Sequence, residues 1–437
     1  MIIDTDLGAD DLAALAVLIR DPGLDVRAIT VARTGLVHCN PGLQNLRNLL
    51  ADFAAPPMPI GCGRTGTGPE AYPFPDGWRA EADRAYGVDF EPAPATSPAG
   101  DAAVVIAGAV ATSPAPPLIV ALGPWTNVAN AFAADPGLAG RIAGIHAMGG
   151  TLDAPGNIWA GDTPLTVPVE FNFGADPAAV AAVLVTDVPV TLVPLDATDD
   201  LPVTPSLVAA LEADHAAAGA NLVFQIYAGS PGQAGEGVFL WDQAAAVALL
   251  DPSVATWSET TVRAVVDRPN AGQVVRDPAG RPIRYAAAAD PVRVEAALLA
   301  ALRRGGPRVH PYSPVGELSV TWDGASCTST KAPSTTGVQV LEIENDSDAL
   351  VVLVIAGAQP PKTWEDLTAF AAALEPDQEV PDWVIGIAET GAEAGASRRT
   401  LVEIPAGTFG PLCLTGDFVE GGEVTIIPGE PFTIAGP

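Results

Sequence analysis

Long apolar segments are absent from this sequence. No run of about 18 or more apolar residues occurs, so the sequence predicts no membrane-spanning helix. A signal peptide is also absent, which predicts a cytoplasmic protein. Met1 directly precedes the first predicted strand, and a start site further upstream would instead favour a secreted or periplasmic protein.

Basic residues are scarce. The 437 residues include 21 Lys and Arg against 52 Asp and Glu, which gives a formal net charge of −31. A field of this sign repels nucleic acid and anionic membranes. The charge therefore argues against DNA or RNA as a substrate, whereas it is compatible with a small neutral molecule. The oligomeric state stays open, and a homo-oligomer is one of the alternatives.

The chain contains two regions with different patterns of predicted secondary structure. Residues 1–305 alternate apolar strands with alanine-rich helices, which predicts an α/β domain with a mainly parallel open sheet flanked by helices. Residues 306–312 are rich in Gly and Pro and are interpreted as a linker. Residues 313–437 contain short strands separated by turns, which predicts a smaller all-β sandwich domain with an accessory role.

Cysteines are few, and their spacing fits no metal site. The four are Cys39, Cys62, Cys327 and Cys413, two in each predicted domain. One disulfide per domain, in an oxidising compartment, and four reduced thiols are both compatible with this distribution.

Four carboxylates lie close together near the N-terminus. Asp4, Asp6, Asp10 and Asp11 follow a short apolar strand and lead into a predicted helix over residues 11–20. In open α/β sheets, ligands bind at this carboxyl end of the strands. Like charges this close repel unless a cation binds them, and oxygen ligands favour Ca²⁺ or Mg²⁺. Helix capping is the alternative, and it accounts for only one or two of the acids.

Three further sequence motifs follow the acid cluster along the chain. They are LIVALGPWTNVAN at 118–130, the series MGG, GN and EFN at 148–150, 156–157 and 170–172, and FLWD at 239–242. In this order they resemble the inosine–uridine-preferring nucleoside hydrolase family over about residues 1–305, with Leu7 in place of the family's proline. The family's early Gly-Asn has no clean counterpart in the loop at 34–43, where His38 and Asn40 lie nearby.

The resemblance implies a fold, a cofactor and a reaction. The reaction is Ca²⁺-dependent hydrolysis of the N-glycosidic bond of ribonucleosides, which gives ribose and free base. The implied calcium ligands are Asp6, Asp11, the backbone carbonyl of Leu122, and Asp242. Asp6 is also implied as the base that takes a proton from the attacking water.

Other residues are implied to hold the sugar. The implied ribose contacts are Asp10, Asn157, Glu170 and Asn172. Asp4 lies on the same strand face as Asp6 and is expected to support the site rather than to bind the ion.

Two tryptophans bear on specificity. Trp241 stands where the pyrimidine-accepting branch of the family carries a histidine acid, as in the purine-specific branch, so we expect it to stack on a purine base. Trp78, in a predicted mobile loop, is the candidate for the opposite face of the base. The alternative for each is an ordinary core or loop-anchoring tryptophan. Hydrolysis of another ribosyl compound, and Ca²⁺-dependent binding of a nucleoside or sugar without turnover, stay open as other functions.

Overall fold

The computed structural model describes residues 1–64, 72–94, 99–160, 163–229, 237–306, 314–374, 380–416, 418 and 424–435. The chain divides into two compact units. The first comprises Met1–Ile226 and Gly235–Pro311, and the second comprises Tyr227–Ala234 and Tyr312–Pro437. Apart from Gly306, the predicted linker at 306–312 lies outside the described residues. No helix within the described ranges has the length and apolar character needed to cross a membrane.

The first unit is built on one large sheet. The strands of this sheet are β1 (Ile2–Thr5), β2 (Ala28–Val31), β3 (Ile60–Cys62), β4 (Gly100–Asp101), β5 (Leu118–Ala121), β6 (Gly144–Met148), β9 (Val190–Val193), β10 (Ala255–Ala264), β11 (Val274–Arg276) and β12 (Arg281–Ala289). Two further strands, β7 (Trp159–Ala160) and β8 (Thr163–Pro164), pair with each other outside it. The order in the sheet is β11-β10-β12-β9-β6-β5-β1-β2-β3-β4. Neighbouring strands from β12 to β4 pair in parallel, whereas β10 pairs antiparallel with both β11 and β12.

Helices surround this sheet. They are α1 (Ala9–Arg20), α2 (Cys39–Asp52), α3 (Asp76–Asp83), α4 (Ala102–Thr112), α5 (Thr126–Ala134), α6 (Phe171–Ala175), α7 (Pro177–Leu184), α8 (Leu195–Thr198), α9 (Pro205–Ala213), α10 (Ala218–Gly229), α11 (Trp241–Leu250) and α12 (Pro291–Leu302). Helices α4, α5 and α7 share a hydrophobic core with the sheet, while α1, α11 and α12 pack against one another. The predicted α/β class, with a mainly parallel sheet and flanking helices, is confirmed.

Two features of the first unit differ from the sequence-based expectation. The antiparallel strands β10–β12 were not predicted, because β10 (ATWSETTVRA) lacks the continuous apolar run of a strand buried on both faces. Trp78 lies in helix α3 rather than in a loop. The flanking Gly and Pro residues suggested a loop, but the proline before Asp76 precedes the helix and does not interrupt it.

Within the described residues from 314 onward, the second unit consists of β-strands and one helix, α13 (Trp364–Ala371), and it also includes Tyr227–Gly229 at the end of α10. Its strands are β13 (Gly316–Trp322), β14 (Cys327–Lys331), β15 (Gly337–Asn345), β16 (Val351–Ala358), β17 (Val384–Ala392), β18 (Ser397–Ile404), β19 (Gly407–Gly416), β20 (Val424–Pro428) and β21 (Phe432–Ile434). They form two sheets, β14-β13-β15-β18 and β17-β16-β19-β20, with β21 paired to β19. One hydrophobic core draws residues from both sheets, including Leu341 of the first and Leu353 of the second, and we interpret this as a two-layer sandwich.

The cysteines form two disulfides, one in each unit. Cys39 at the start of α2 joins Cys62 at the end of β3, and Cys327 of β14 joins Cys413 of β19. Of the two alternatives left open by the sequence, the structure therefore has the paired one.

Candidate functional site

The turn after β1 is held together by the carboxylate of Asp11. Its two oxygens accept hydrogen bonds from the backbone N–H of Asp6 (3.1 Å) and of Gly8 (2.9 Å), and the hydroxyl of Thr5 donates to it as well. A Cβ at Gly8 would lie 2.6 Å from Asp10 Oδ1 and 2.9 Å from Asp11 Oδ2, so a side chain there would displace these carboxylates. Asp11 therefore caps α1, which is the role that the helix-capping alternative assigns to one of the acids.

Three carboxylates converge where two helices begin. Asp10 and Asp11 lie in the first turn of α1, Asp242 lies in the first turn of α11, and one oxygen of each lies within 4.8 Å of the others. Asp242 is buried, and its Oδ1 has no hydrogen-bond partner within the described structure. Burial, followed by the charges of Asp11 and Asp10, raises the pKa of Asp242 well above its ordinary value. Burial likewise raises the pKa of Asp10 to about 7.

This cluster fits a divalent cation. An unpartnered buried carboxylate oxygen beside two further carboxylates is unfavourable unless a positive charge offsets it. Every donor in the cluster is an oxygen, which favours a hard ion such as Ca²⁺ or Mg²⁺ over a transition metal. The cluster consists of Asp11 and Asp242, two of the implied calcium ligands, and Asp10, an implied ribose contact, whereas the implied ligand Asp6 is not one of its three members.

Asp6 lies directly beside the cluster, between two close backbone segments. Its Oδ2 accepts a hydrogen bond from the N–H of Leu36 (2.9 Å). A Cβ added to Gly123 would lie 2.9 Å from the Asp6 backbone nitrogen, and one added to Gly35 would overlap the Asp6 side chain. Burial and the neighbouring Asp11 charge raise the pKa of Asp6 well above its usual range. Asp6 is thus buried, closely packed and held by one amide.

The loop at 34–43 reaches the site through its backbone. Leu36 supplies the N–H that binds Asp6, whereas His38 is exposed and its Nδ1 pairs with Asp83 of α3 at 2.8 Å. Asn40 lies exposed in the first turn of α2. The two side chains that the sequence analysis noted in this loop are therefore directed elsewhere, and Leu36, which it missed, makes the contact.

The predicted carbonyl ligand and the amide of Asn172 are brought together. The Leu122 carbonyl accepts a hydrogen bond from Asn172 Nδ2 at 2.8 Å, and both residues are buried. A carbonyl oxygen has two lone pairs, so this bond leaves one for another partner.

Glu170 and Asn157 hold the backbone around Asn172. Glu170 caps α6 and accepts from the N–H groups of Asn172 (2.7 Å), Gly150 (2.9 Å) and Phe173 (3.1 Å). Asn157 Oδ1 accepts from the N–H of Phe171 (3.0 Å). Burial raises the pKa of Glu170 to about 7, although the three amides oppose the shift. These two predicted ribose contacts therefore have structural roles that the sequence analysis did not anticipate.

Asp4 supports the strand beneath the site. Its Oδ1 accepts hydrogen bonds from Thr30 Oγ1 (2.6 Å) and Asn127 Nδ2 (2.7 Å), and it is fully buried. Burial raises its pKa to about 7. The partners tie β1 to β2 and to α5, in agreement with a supporting place for Asp4.

Aromatic side chains occupy two places around these residues. Trp241 is the first residue of α11, adjoins Asp242 and contacts Phe239 with ring centroids 5.8 Å apart. Its Nε1 is buried and has no hydrogen-bond partner among the residues that the structure describes. Trp78 contacts Phe171 (5.4 Å) and Trp159 (6.1 Å). The sequence analysis missed Phe171 and Trp159, although Phe171 lies inside the EFN motif and Trp159 follows Asn157 by two residues.

Comparison with known proteins identifies relatives of the first unit. The family described as inosine-uridine preferring nucleoside hydrolase matches residues 1–300. The pyrimidine-specific ribonucleoside hydrolase RihA of Salmonella paratyphi B is 33% identical over 201 residues, which cover 45% of this chain and 60% of that protein. The chain thus matches less than two thirds of this relative's length.

Solved structures show the same fold. An inosine-uridine preferring nucleoside hydrolase from Bacillus anthracis superposes with a TM-score of 0.58 at 19% identity, covering 70% of this chain and 99% of that one. A purine-preferring ribonucleoside hydrolase from Gardnerella vaginalis gives 0.58 at 21% identity, covering 69% and 97%. With residues 1–300 matched by the family model, the chain belongs to the inosine-uridine preferring nucleoside hydrolase family.

Proposed function

We propose that this protein hydrolyses the N-glycosidic bond of ribonucleosides in a Ca²⁺-dependent reaction that favours purines. The observation that carries the proposal is the convergence of Asp10, Asp11 and Asp242 at the start of two buried helices, beside Asp6. A neutral nucleoside is compatible with the net charge of −31, whereas a polyanionic substrate is not.

In this proposal some of the carboxylates bind the metal ion, and another accepts a proton from the attacking water. Asp11, Asp242 and the Leu122 carbonyl would hold the ion, with Asp6 and Asp10 as the neighbouring acids that contact it or the sugar. When bound, Ca²⁺ would polarise water and lower its pKa, so that a carboxylate is a sufficient base. Asp6 would accept the proton, because its raised pKa brings the carboxylate closer to the basicity that proton transfer near neutral pH requires.

The sugar would be positioned by a preorganised loop. Asn172 is fixed by the Leu122 carbonyl and by Glu170, and the backbone of 170–173 is fixed by Glu170 and Asn157. Binding of ribose would therefore require little further ordering of this loop, which lowers the entropic cost of reaching an oxocarbenium-like transition state.

The purine preference follows from the leaving group. Each histidine of the described residues is engaged by another group: His38 binds Asp83, His146 is buried against the Ala245 carbonyl, and His215 binds the Glu212 carbonyl. Burial also lowers the pKa of His146 to about 4, so it carries little charge near neutral pH. A purine can be protonated on its ring by solvent and offers a large face to Trp241, whereas a pyrimidine requires an acid from the protein.

The proposal is tested by ribose release from inosine, adenosine, uridine and cytidine, with Ca²⁺ and with a chelator. Release from purine nucleosides that stops on chelation supports it. Release that is unaffected by chelation would contradict the Ca²⁺ dependence, and faster release from uridine or cytidine would contradict the stacking model. Ca²⁺-dependent binding of nucleosides without release would identify a non-catalytic binder, and inactivity on all four with release from another ribosyl compound would identify a different hydrolase.

A matched pair of variants isolates the role of stacking. Trp241→Ala should lower kcat/KM for inosine more than for uridine, by up to about tenfold, because aromatic stacking contributes roughly 0.5–1.5 kcal/mol beyond area burial. Trp257→Ala, which removes a tryptophan of β10 that packs under Arg284, is the control and should leave the ratio unchanged.

A further inference from the structure

Two neighbouring tryptophans of the first unit are unusually exposed. Trp78 on α3 is 40% exposed and Trp159 on β7 is 36% exposed, and their ring centroids lie 6.1 Å apart. Each leaves roughly 90–100 Å² of aromatic surface in water, given a total of about 250 Å² for an indole side chain. Adjacent exposed aromatic surface of this kind marks a binding site more often than a single exposed apolar residue does.

The position of Trp78 relative to the acids is fixed by its neighbours. The next residue, Arg79, donates to the Gly35 carbonyl at 2.6 Å, and Gly35 packs directly against Asp6. The Trp78 ring also contacts Phe171, which lies between Glu170 and Asn172. Trp78 is therefore tied on one side to the loop that holds Asp6 and on the other to the loop that holds Asn172.

Trp159 shares a strand face with a predicted sugar contact. The chain around it is extended: the Asn157 N–H binds the Val169 carbonyl, the Ile158 carbonyl accepts from Leu165, and Trp159 pairs with Pro164. Ile158 is fully buried in the aromatic cluster with Phe74 and Phe171. Because side chains alternate along an extended strand, Asn157 and Trp159 project from the face opposite to Ile158, about 7 Å apart along the chain.

The planes of the two indole rings are inclined to each other rather than parallel. The angle between them is 58°. A flat ring stacked on Trp78 consequently presents its edge to Trp159, which is one of the two preferred geometries of aromatic pairs. A bicyclic base extends further from the sugar than a single ring does and so has the greater reach toward the second indole.

We propose that Trp159 is a specificity-determining residue that, together with Trp78, distinguishes bicyclic from monocyclic bases. The inference rests on the proposed function, since it takes the substrate to be a nucleoside whose base meets Trp78. It adds a contact from Trp159 of β7 to the one at Trp241.

The test compares Trp159→Ala and Trp159→Phe with wild-type protein and with the control Trp257→Ala. The readout is the ratio of kcat/KM for inosine to that for uridine. Trp159→Ala should lower this ratio roughly three- to tenfold, as expected for loss of one aromatic contact. Trp159→Phe should restore most of the ratio, and Trp257→Ala should not change it.

A binding measurement separates failure of this inference from failure of the proposed function. Affinities of hypoxanthine and uracil for each protein are measured by equilibrium dialysis, which needs no turnover. If no nucleoside is hydrolysed but Trp159→Ala still weakens hypoxanthine binding selectively, the proposed function fails and the base-contacting role of Trp159 stands. Equal loss for both nucleosides or both bases would show that Trp159 only stabilises the fold, and an unchanged ratio in Trp159→Ala would overturn the inference outright. A wild-type dimer that Trp159→Ala dissociates, with the ratio unchanged, would show that a second copy covers this surface.

Discussion

Replacing Asp242 with asparagine removes one negative charge from the cluster in which three carboxylate oxygens lie within 4.8 Å of one another. Two full charges at this separation repel by about 3.5 kcal/mol at an effective dielectric constant of about 20. Burial raises the pKa of Asp242 well above its ordinary value and that of Asp10 to about 7, so the full repulsion between charged carboxylates is not realised. We expect Asp242→Asn to stabilise the protein in the presence of a chelator, where no metal ion is bound, by about 1–3 kcal/mol. The amide keeps the volume of the carboxylate and can donate a hydrogen bond to Asp11.

The same substitution should have the opposite effect when Ca²⁺ is present. An ion that binds only the folded state stabilises it by about 4.1 kcal/mol at a concentration about one thousand times its Kd, which exceeds the advantage of the variant in chelator. Losing one anionic ligand weakens that binding, so the wild type should gain more than the variant. The order of the two midpoint temperatures is therefore expected to reverse between chelator and Ca²⁺.

Thermal unfolding of both proteins, each in EDTA and in excess CaCl₂, tests this reversal. One kcal/mol corresponds to about 2–4 °C for domains of 150–250 residues, and to the lower end of that range or less for a larger unit, so the expected shifts are measurable. Asp267→Asn makes the same change of charge at an exposed position and should leave both midpoints nearly unchanged. A variant that is less stable than wild type in EDTA, or equal gains from Ca²⁺ in both proteins, would refute the reasoning.

Three other predictions concern the turn after β1 and the division of the chain. Asp6→Asn should lower kcat by on the order of 10² with little change in nucleoside affinity, because an amide cannot accept the proton; near-normal kcat would remove Asp6 from that role. Leu7→Pro, which restores the family's residue, should cost over about 1 kcal/mol of unfolding free energy more than Leu7→Gly by denaturant titration, since both variants lose the buried leucine side chain and only proline also excludes the backbone conformation. The reason is that Leu7 has φ 56° and its N–H donates to Thr5 Oγ1 at 3.1 Å, and proline allows neither. A chain that ends at Gly306 should keep its hydrolytic activity if residues 1–305 form an independent domain, and insoluble or inactive protein would argue that the second unit is required.

The parts of the fold that were predictable from sequence are those with a strong local pattern. Strand β1 and helix α1 follow from an apolar pair, a glycine turn and a helical apolar pattern, and the observed bounds Ile2–Thr5 and Ala9–Arg20 lie within two residues of the prediction. The antiparallel β10–β12 segment was not predictable in this way. Its residues are partly exposed at one edge of the sheet, so neither a buried run nor a strict alternation marks them.

The candidate site shows the same division between local and long-range information. The motifs indicate that Asp11 and Asp242 lie close together. They do not show that an oxygen of Asp10 lies near both, because that depends on distances in the folded protein. Nor do they show that the Glu170 carboxylate is occupied by three backbone amides, because two of those amides belong to a turn that the side chain itself stabilises. Trp159 was missed because its strand has two residues and carries no periodicity.

Helix composition explains how the acids come to lie together. The residues of α1 and α11 that follow the acids include several buried alanines, namely Ala13, Ala14, Ala16, Ala244, Ala245, Ala246 and Ala248. Helix axes approach more closely when the side chains between them are small, and α1 and α11 pack directly against each other. Each acid lies in the first turn of its helix, where the helix dipole favours negative charge, yet burial still raises the pKa of Asp10 and Asp242. The dipoles therefore offset only part of the cost of burying the carboxylates, and the remaining deficit is the electrostatic reason to expect a divalent cation at this point of the fold.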